Sequence, residues 1–353
     1  MDGTALVLCE GHFNTPCGKT AHGLVRGTER YRVAGVIDSR HAGRDAGDVL
    51  DEKPANIPVF ESLDDALSQL GEKPDYLVMG VAPDGGMLSP ELKPVFEKAL
   101  RLGINCDSGL HQALGEDADL RAAAAAGGAA IRDVRRCKPV SELHFFTGDI
   151  EKVGALRVAV LGTDSAVGKR TTARILVNAL RGAGVSAEMI GTGQTAWFQG
   201  VRYGMLLDAT INDFVAGEIE HAVCAAWENE HPRVIVVEGQ GCLTNPAFPG
   251  GFEILAAARP HAVILQHAPK RRFYDGFPGY EIAGIEREMK IIELMSNTTV
   301  AAITINHEDM TREEVNAAAA EYEARYGIPA ADALWHGPEK IVAALQERFP
   351  DAF

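Results

Sequence analysis

What the chain has least of is positive charge: Lys and Arg number 34 against 49 Asp and Glu, a formal net charge of -15 over 353 residues. A surface of that sign has no generic footprint for nucleic acid or an anionic membrane, so an anionic ligand must be held by a local constellation. Cysteine is scarce and scattered. Cys9, Cys17, Cys106, Cys137, Cys224 and Cys242 form no Cys-x-x-Cys pair and have no His partner at zinc-like spacing, which argues against a disulfide framework and a structural metal. Long apolar runs are missing too: residues 5–9 give way to Glu10, no basic segment precedes them, and no stretch reaches membrane-spanning length. The expectation is a soluble, cytoplasmic protein that binds neither nucleic acid nor membrane.

What the chain does have is 46% hydrophobic residues, ample for packed cores, and a length that suggests two domains at roughly 150 residues each. Over residues 1–135, β-type runs at 5–9, 33–38 and 76–80 alternate with helical spacing at 62–70 and 91–102. That alternation predicts a Rossmann-like parallel α/β domain. Residues 136–154 show no clear period and read as a linker. From 155 to 353 the alternation resumes, predicting a second parallel α/β sheet whose ligand lies at the strand C-termini. The glycine-bearing turn of residues 10–20, after the first strand, fits neither Gly-x-Gly-x-x-Gly nor a standard phosphate loop, so Asp38 at the end of the second strand imitates a ribose-binding acid without the fingerprint that nicotinamide binding needs.

The strongest motif is Gly162-Thr163-Asp164-Ser165-Ala166-Val167-Gly168-Lys169-Arg170-Thr171-Thr172, placed between a predicted strand and a predicted helix. This is the context of a phosphate loop: backbone N–H groups converge on an anion, the helix dipole adds to them, and Lys169 brings a mobile cation. Two departures matter. Five residues rather than four separate Gly162 from Gly168, and Arg170 stands where a Ser or Thr normally holds Mg²⁺. Arg170 thus weakens a Mg²⁺-nucleotide reading and adds a bidentate phosphate donor, although Thr171 or Thr172 would reach a metal if the helix began one residue later.

Other strand ends supply candidates. Glu238, closing the run 234–238 before Gly239-Gln240-Gly241, is placed to hold Mg²⁺ through water or to act as a base. Asn306 is placed to hydrogen-bond an adenine edge. Thr192, Gln194, Asp208 and Gln240 are candidate substrate contacts, and Arg271 and Arg272 are candidate holders of substrate carboxylates. Asp213 reads as a helix N-cap, His267 and His307 as ordinary strand-end histidines, and Cys242 as an inert thiol rather than a nucleophile.

The loop Gly-Thr-Asp-x-x-Val-Gly-Lys and the stretch Val237-Glu238-Gly239-Gln240-Gly241 resemble those of dethiobiotin synthetases within the MinD-like P-loop class. With Gly191-Thr192-Gly193-Gln194-Thr195 and Asp213-Phe-Val-Ala-Gly-Glu-Ile-Glu220, the whole chain is similar to a former domain-of-unknown-function family whose members are D-glutamate N-acetyltransferases. That resemblance implies acetyl-CoA as donor, the phosphate loop as its anchor, D-glutamate as a small amino-acid substrate, Glu238 with Lys169 at the catalytic centre, and no metal. With two sheets and many strand-end loops, the default expectation is a homo-oligomer. The alternative is an ATP and Mg²⁺-dependent ligase or kinase of the dethiobiotin-synthetase type, in which Lys169 steadies the γ-phosphate and Glu238 holds the metal.

Overall fold

Short apolar strands that are buried on both faces need helices on each side, and the chain supplies them twice. The computed structural model describes residues 1–353 apart from the side chain of Asp84. It divides into two compact units: residues 1–137 with 194–201, and residues 138–193 with 202–353.

In the first unit six strands, β1 (Gly3–Leu8), β2 (Tyr31–Ile37), β3 (Val59–Phe60), β4 (Tyr76–Met79), β5 (Asn105–Ser108) and β6 (Ile131–Asp133), form a parallel sheet in the order β3-β2-β1-β4-β5-β6. That is the Rossmann order, reversing direction at β1. Around it lie α1 (Lys19–Val25), α2 (Ala46–Asp51), α3 (Leu63–Leu70), α4 (Lys93–Arg101) and α5 (Ala118–Gly127). Helix α3 starts where its cap dictates: Ser62 Oγ accepts from the Asp65 N–H at 3.1 Å, and Asp65 accepts in return from the Glu61 N–H. Asp38 is fully buried, its carboxylate taking the N–H groups of Gly11, Phe13 and Arg40 and Nδ1 of His41. The side chain that imitated a ribose ligand holds its own glycine turn instead.

The second unit begins with β7 (Leu156–Gly162) and α6 (Lys169–Gly182), then β8 (Ala187–Gly191); the intervening α7 (Gln194–Phe198) belongs to the first unit. There follow β9 (Tyr203–Gly204), α8 (Asn212–Glu230), β10 (Val234–Glu238), α9 (Phe252–Ala258), β11 (Ala262–His267), α10 (Ile285–Ser296), β12 (Val300–Ile305), α11 (Arg312–Tyr326), β13 (Ala330–Ala331) and α12 (Glu339–Arg348). The sheet order is β13-β12-β11-β7-β10-β8-β9, with every pair parallel. All seven residues of β7 are buried.

Two expectations about organisation are corrected. Residues 138–154 are no linker, because α8 carries buried Glu218 and Glu220 that pin them. Glu218 pairs with Lys138 at 2.8 Å and with Nδ1 of His144 at 2.7 Å, and Glu220 takes the N–H groups of Thr147 and Ile150. Residues 194–201 leave the predicted substrate loop for the first unit, where Phe198 is fully buried in the core, Thr195 Oγ1 meets Thr20 Oγ1 at 3.0 Å, and Gln199 donates to the Gly23 carbonyl. Asp213 is not a cap either. Ile211 holds that position without a side-chain bond, and Asp213 is an exposed first-turn acid. Among the described residues, no helix is long and apolar enough to cross a membrane.

Candidate functional site

The phosphate loop spans the gap between the buried central strand β7 and α6, and its backbone alternates sign as an anion nest requires. Ala166 has φ 51° and Gly168 φ 101°, both in the left-handed region, between residues of ordinary conformation. Gly168 is where glycine matters most, since a side chain there would be strained whatever space surrounded it. Lys169 is buried and folds back to donate from Nζ to the Asp164 carbonyl at 2.6 Å. Burial lowers its affinity for a proton, bringing its pKa to about 8 against the opposing pull of nearby Asp164 and Glu238.

Strand order sets what stands beside the loop. To one side lies β10, which carries Glu238 in register with Val160 of β7, and beyond it β8 leads out into Thr192 and Gly193. Glu238 is buried; its Oε2 accepts from the Thr192 N–H at 3.0 Å, while Thr192 Oγ1 donates to the Glu238 carbonyl. Burial raises the pKa of Glu238 above the usual carboxylate value, opposed first by the Arg170 guanidinium and then by the Thr192 N–H, Lys169 and the Gly193 N–H. A buried carboxyl with a raised pKa, flanked by two cations, is a candidate general base. Around it the backbone is closely fitted: a Cβ on Gly193 would overlap the Gln240 amide, and one on Gly239 would overlap the Val160 carbonyl.

To the other side of the loop lie β11 and β12. Thr163 Oγ1 pairs with Nδ1 of His267 at 2.8 Å, and burial, then Arg271, lowers the His267 pKa to about 4, so this ring is neutral at pH 7. Asn306 donates from Nδ2 to the Val167 carbonyl at 2.9 Å and accepts the Glu308 N–H on Oδ1. Its amide therefore fixes the loop rather than standing free for an adenine edge.

Several predicted ligand contacts prove to be scaffolding. Asp164 is fully buried, and its carboxylate takes the Ser165 N–H at 2.7 Å, Asn245 Nδ2 at 3.0 Å, the Asp275 N–H at 2.8 Å and Arg271 Nη1 at 3.0 Å. Arg271, expected to hold a substrate carboxylate, is neutralised by Asp164 and, at 2.5 Å, by Glu308, and also donates to the Ser165 carbonyl. Arg272 is 73% exposed and paired with Glu281. Thr172 spends its hydroxyl on Gln266 Oε1 at 2.5 Å, which removes one of the two hydroxyls that might have reached a metal; Thr171 is half-buried. Ser165 and Ala166 are half-buried and Gly162, Thr163 and Val167 buried. Gln240 is half-buried beside Gly193, Asp208 is exposed on a short 3-10 turn, and Gln194 opens α7 in the first unit.

Sequence reasoning missed Asn245 and the chain beneath the site. Asn245 bridges its own turn, accepting the Ala247 and Phe248 N–H groups, to Asp164 of the phosphate loop. Tyr274 donates to Thr244, whose hydroxyl and N–H both reach buried Glu288 on α10. Burial raises the pKa of Glu288, opposed first by Thr244, and raises that of Cys242 to about 12. The turn at Asn245 was the only local signal; its partner lies 81 residues away.

A Rossmann-like unit and a phosphate-loop α/β unit with a buried strand-end acid define a two-domain P-loop protein. Residues 144–342 match the domain of unknown function described as the DUF1611_C P-loop domain, and residues 39–137 the DUF1611_N Rossmann-like domain. The chain belongs to the DUF1611 family. A D-glutamate N-acetyltransferase of Tritonibacter scottomollicae is 33% identical over 298 residues, covering 82% of this chain and 86% of the relative. One from Pseudoalteromonas sp is 29% identical, covering 79% and 82%. The crystal structure of a DUF1611 family protein from Anabaena variabilis superposes with a TM-score of 0.88 at 26% identity, over 98% of this chain and 99% of that one.

Proposed function

We propose that the chain transfers the acetyl group of acetyl-CoA to the amino group of an acidic amino acid, D-glutamate first among them. The observation that carries this reading is Glu238: a buried carboxyl of raised pKa one strand from a phosphate loop whose Mg²⁺-hydroxyl position is an arginine. The names of the two relatives support the same chemistry.

The loop fits a pyrophosphate. Its nest of N–H groups, the start of α6, Lys169 and Arg170 bind and orient phosphate oxygens without a metal. Bound there, acetyl-CoA supplies an activated thioester carbonyl. Glu238 accepts the proton that the substrate ammonium must lose, so that nitrogen forms the amide bond as the thiolate leaves and is protonated. Backbone N–H groups of Gly239 to Gly241 stand for the oxyanion, and Thr192 and Gln240 flank the base on the substrate side.

Thermal-shift titration with acetyl-CoA, CoA and ATP with Mg²⁺, followed by thiol release on D- and L-glutamate, tests the proposal. Stabilisation by CoA species and thiol release dependent on D-glutamate are expected. Stabilisation by ATP with Mg²⁺ alone would instead favour the ligase or kinase reading.

A further inference from the structure

The strand-end edge of the second unit carries a group that acetyl transfer leaves unused. His307 follows β12 and Asp332 follows β13, and these strands are neighbours. Asp332 is buried, and one carboxylate oxygen accepts the N–H groups of Leu334 at 2.8 Å and Trp335 at 3.0 Å. The other holds Nδ1 of His307 at 2.6 Å. The imidazole stacks on Trp335, with ring centroids 3.9 Å apart and planes 7° from parallel, and Arg312 Cζ lies 4.7 Å from the centre of the same indole. A ring clamped on one nitrogen by a buried carboxylate and on one face by an indole presents its Nε2 in a fixed direction. Its side chain is one quarter exposed, and Arg312 is exposed beside it.

The loop has a direction that assigns this corner. Lys169 and Glu238 mark its reacting end toward β10, whereas Asn306 grips the Val167 carbonyl on the β12 side. A carrier laid along the loop with its acyl end at Glu238 extends its nucleoside end over Asn306 toward β12 and β13. We propose that His307 and Arg312 bind the ribose 3′-phosphate of CoA, the group that distinguishes CoA from ATP; this rests on the acetyl-CoA reading above. A phosphate at Nε2 completes a carboxylate–imidazole–phosphate line. Nearby Glu308 is occupied by Arg271 and Glu314 by Lys270, leaving exposed Asp309 and Glu313 as the opposing charges.

The test is the ratio of affinities for CoA and 3′-dephospho-CoA, measured calorimetrically on the full chain and on its His307→Gln and Arg312→Gln variants. The wild type should favour CoA by roughly tenfold, and each variant should cut that ratio at least threefold while binding dephospho-CoA as before. Arg312 is exposed, so its variant keeps the fold even if His307→Gln does not. A wild-type ratio near one, or a ratio unmoved by Arg312→Gln and by a folded His307→Gln, overturns the assignment. Failure of the wild type to bind either carrier overturns the acetyl-CoA reading itself, and the assignment with it.

Discussion

Replacing Asp164 with alanine removes the one carboxylate on which the phosphate loop, the turn at Asn245 and residues 271–275 converge. Four donors lose their acceptor: two backbone N–H groups, an amide and a guanidinium that is only 11% exposed. Breaking a buried ion pair from one side costs about 3–5 kcal/mol, because the remaining charge stays buried, although Glu308 still neutralises part of Arg271. Taking about 4 kcal/mol and a slope of about 2.5 kcal/mol per molar urea, the midpoint of the transition that reports the second unit should fall by roughly 1.5 M. Tryptophan fluorescence would follow that transition, and Asp164→Asn, which keeps one acceptor and loses the charge, should fall between. A loss under about 0.4 M at unchanged slope would refute the view that Asp164 is the structural hub, and would return it to the ligand-binding role expected from its place in the motif.

Glu238→Gln should lower turnover by roughly 10²–10⁴-fold with carrier affinity retained, and saturating kinetics would check it. Because its folded pKa is raised, the stability that Glu238 contributes is lost as pH rises through that value, so the variant should melt higher than wild type at neutral pH, by a margin that widens from acid to neutral. Lys169→Met should abolish carrier binding; and since burial holds the Lys169 pKa down at about 8, below the ordinary lysine value of 10.5, wild-type stability should gain a contribution between those pH values that the variant lacks, visible in urea midpoints. Gly193→Ala should leave the melting temperature within a few degrees yet reduce turnover, because the added methyl overlaps the flexible end of Gln240, with Glu238 Oε1 at an ordinary 3.9 Å, and must push that amide from beside the base; unchanged turnover would remove Gln240 from the site.

How much was legible depended on whether a signal was local. The phosphate loop was legible because its chemistry is carried by backbone, by glycine at a left-handed position and by Lys169, all within one turn. The strand-end position of Glu238 followed from a run of apolar residues that ends in an acid. The engagements of Arg271, Asn306 and Asp164 were not legible for a common reason: sequence alone cannot show that partners distant along the chain, 107 residues away for Arg271 and Asp164 and 139 for Asn306 and Val167, already hold these side chains. The short strands β3, β9 and β13, two residues each, are too brief for any periodicity to reveal. Helix α10 begins at Ile285, where Gly284 at φ 84° sets its boundary.

The chain enters its second unit at residue 138, departs for residues 194–201, and returns. No single scission therefore yields both halves whole. A fragment starting at 155 would strand Glu218 and Glu220 without the donors that satisfy them, and would expose Phe198 to water; a fragment ending at 137 would leave the first core with an unfilled socket where that phenyl ring belongs. Domain dissection of this protein calls for grafting the eight-residue excursion onto the N-terminal piece, with a short bridge closing residues 193 and 202 in the other.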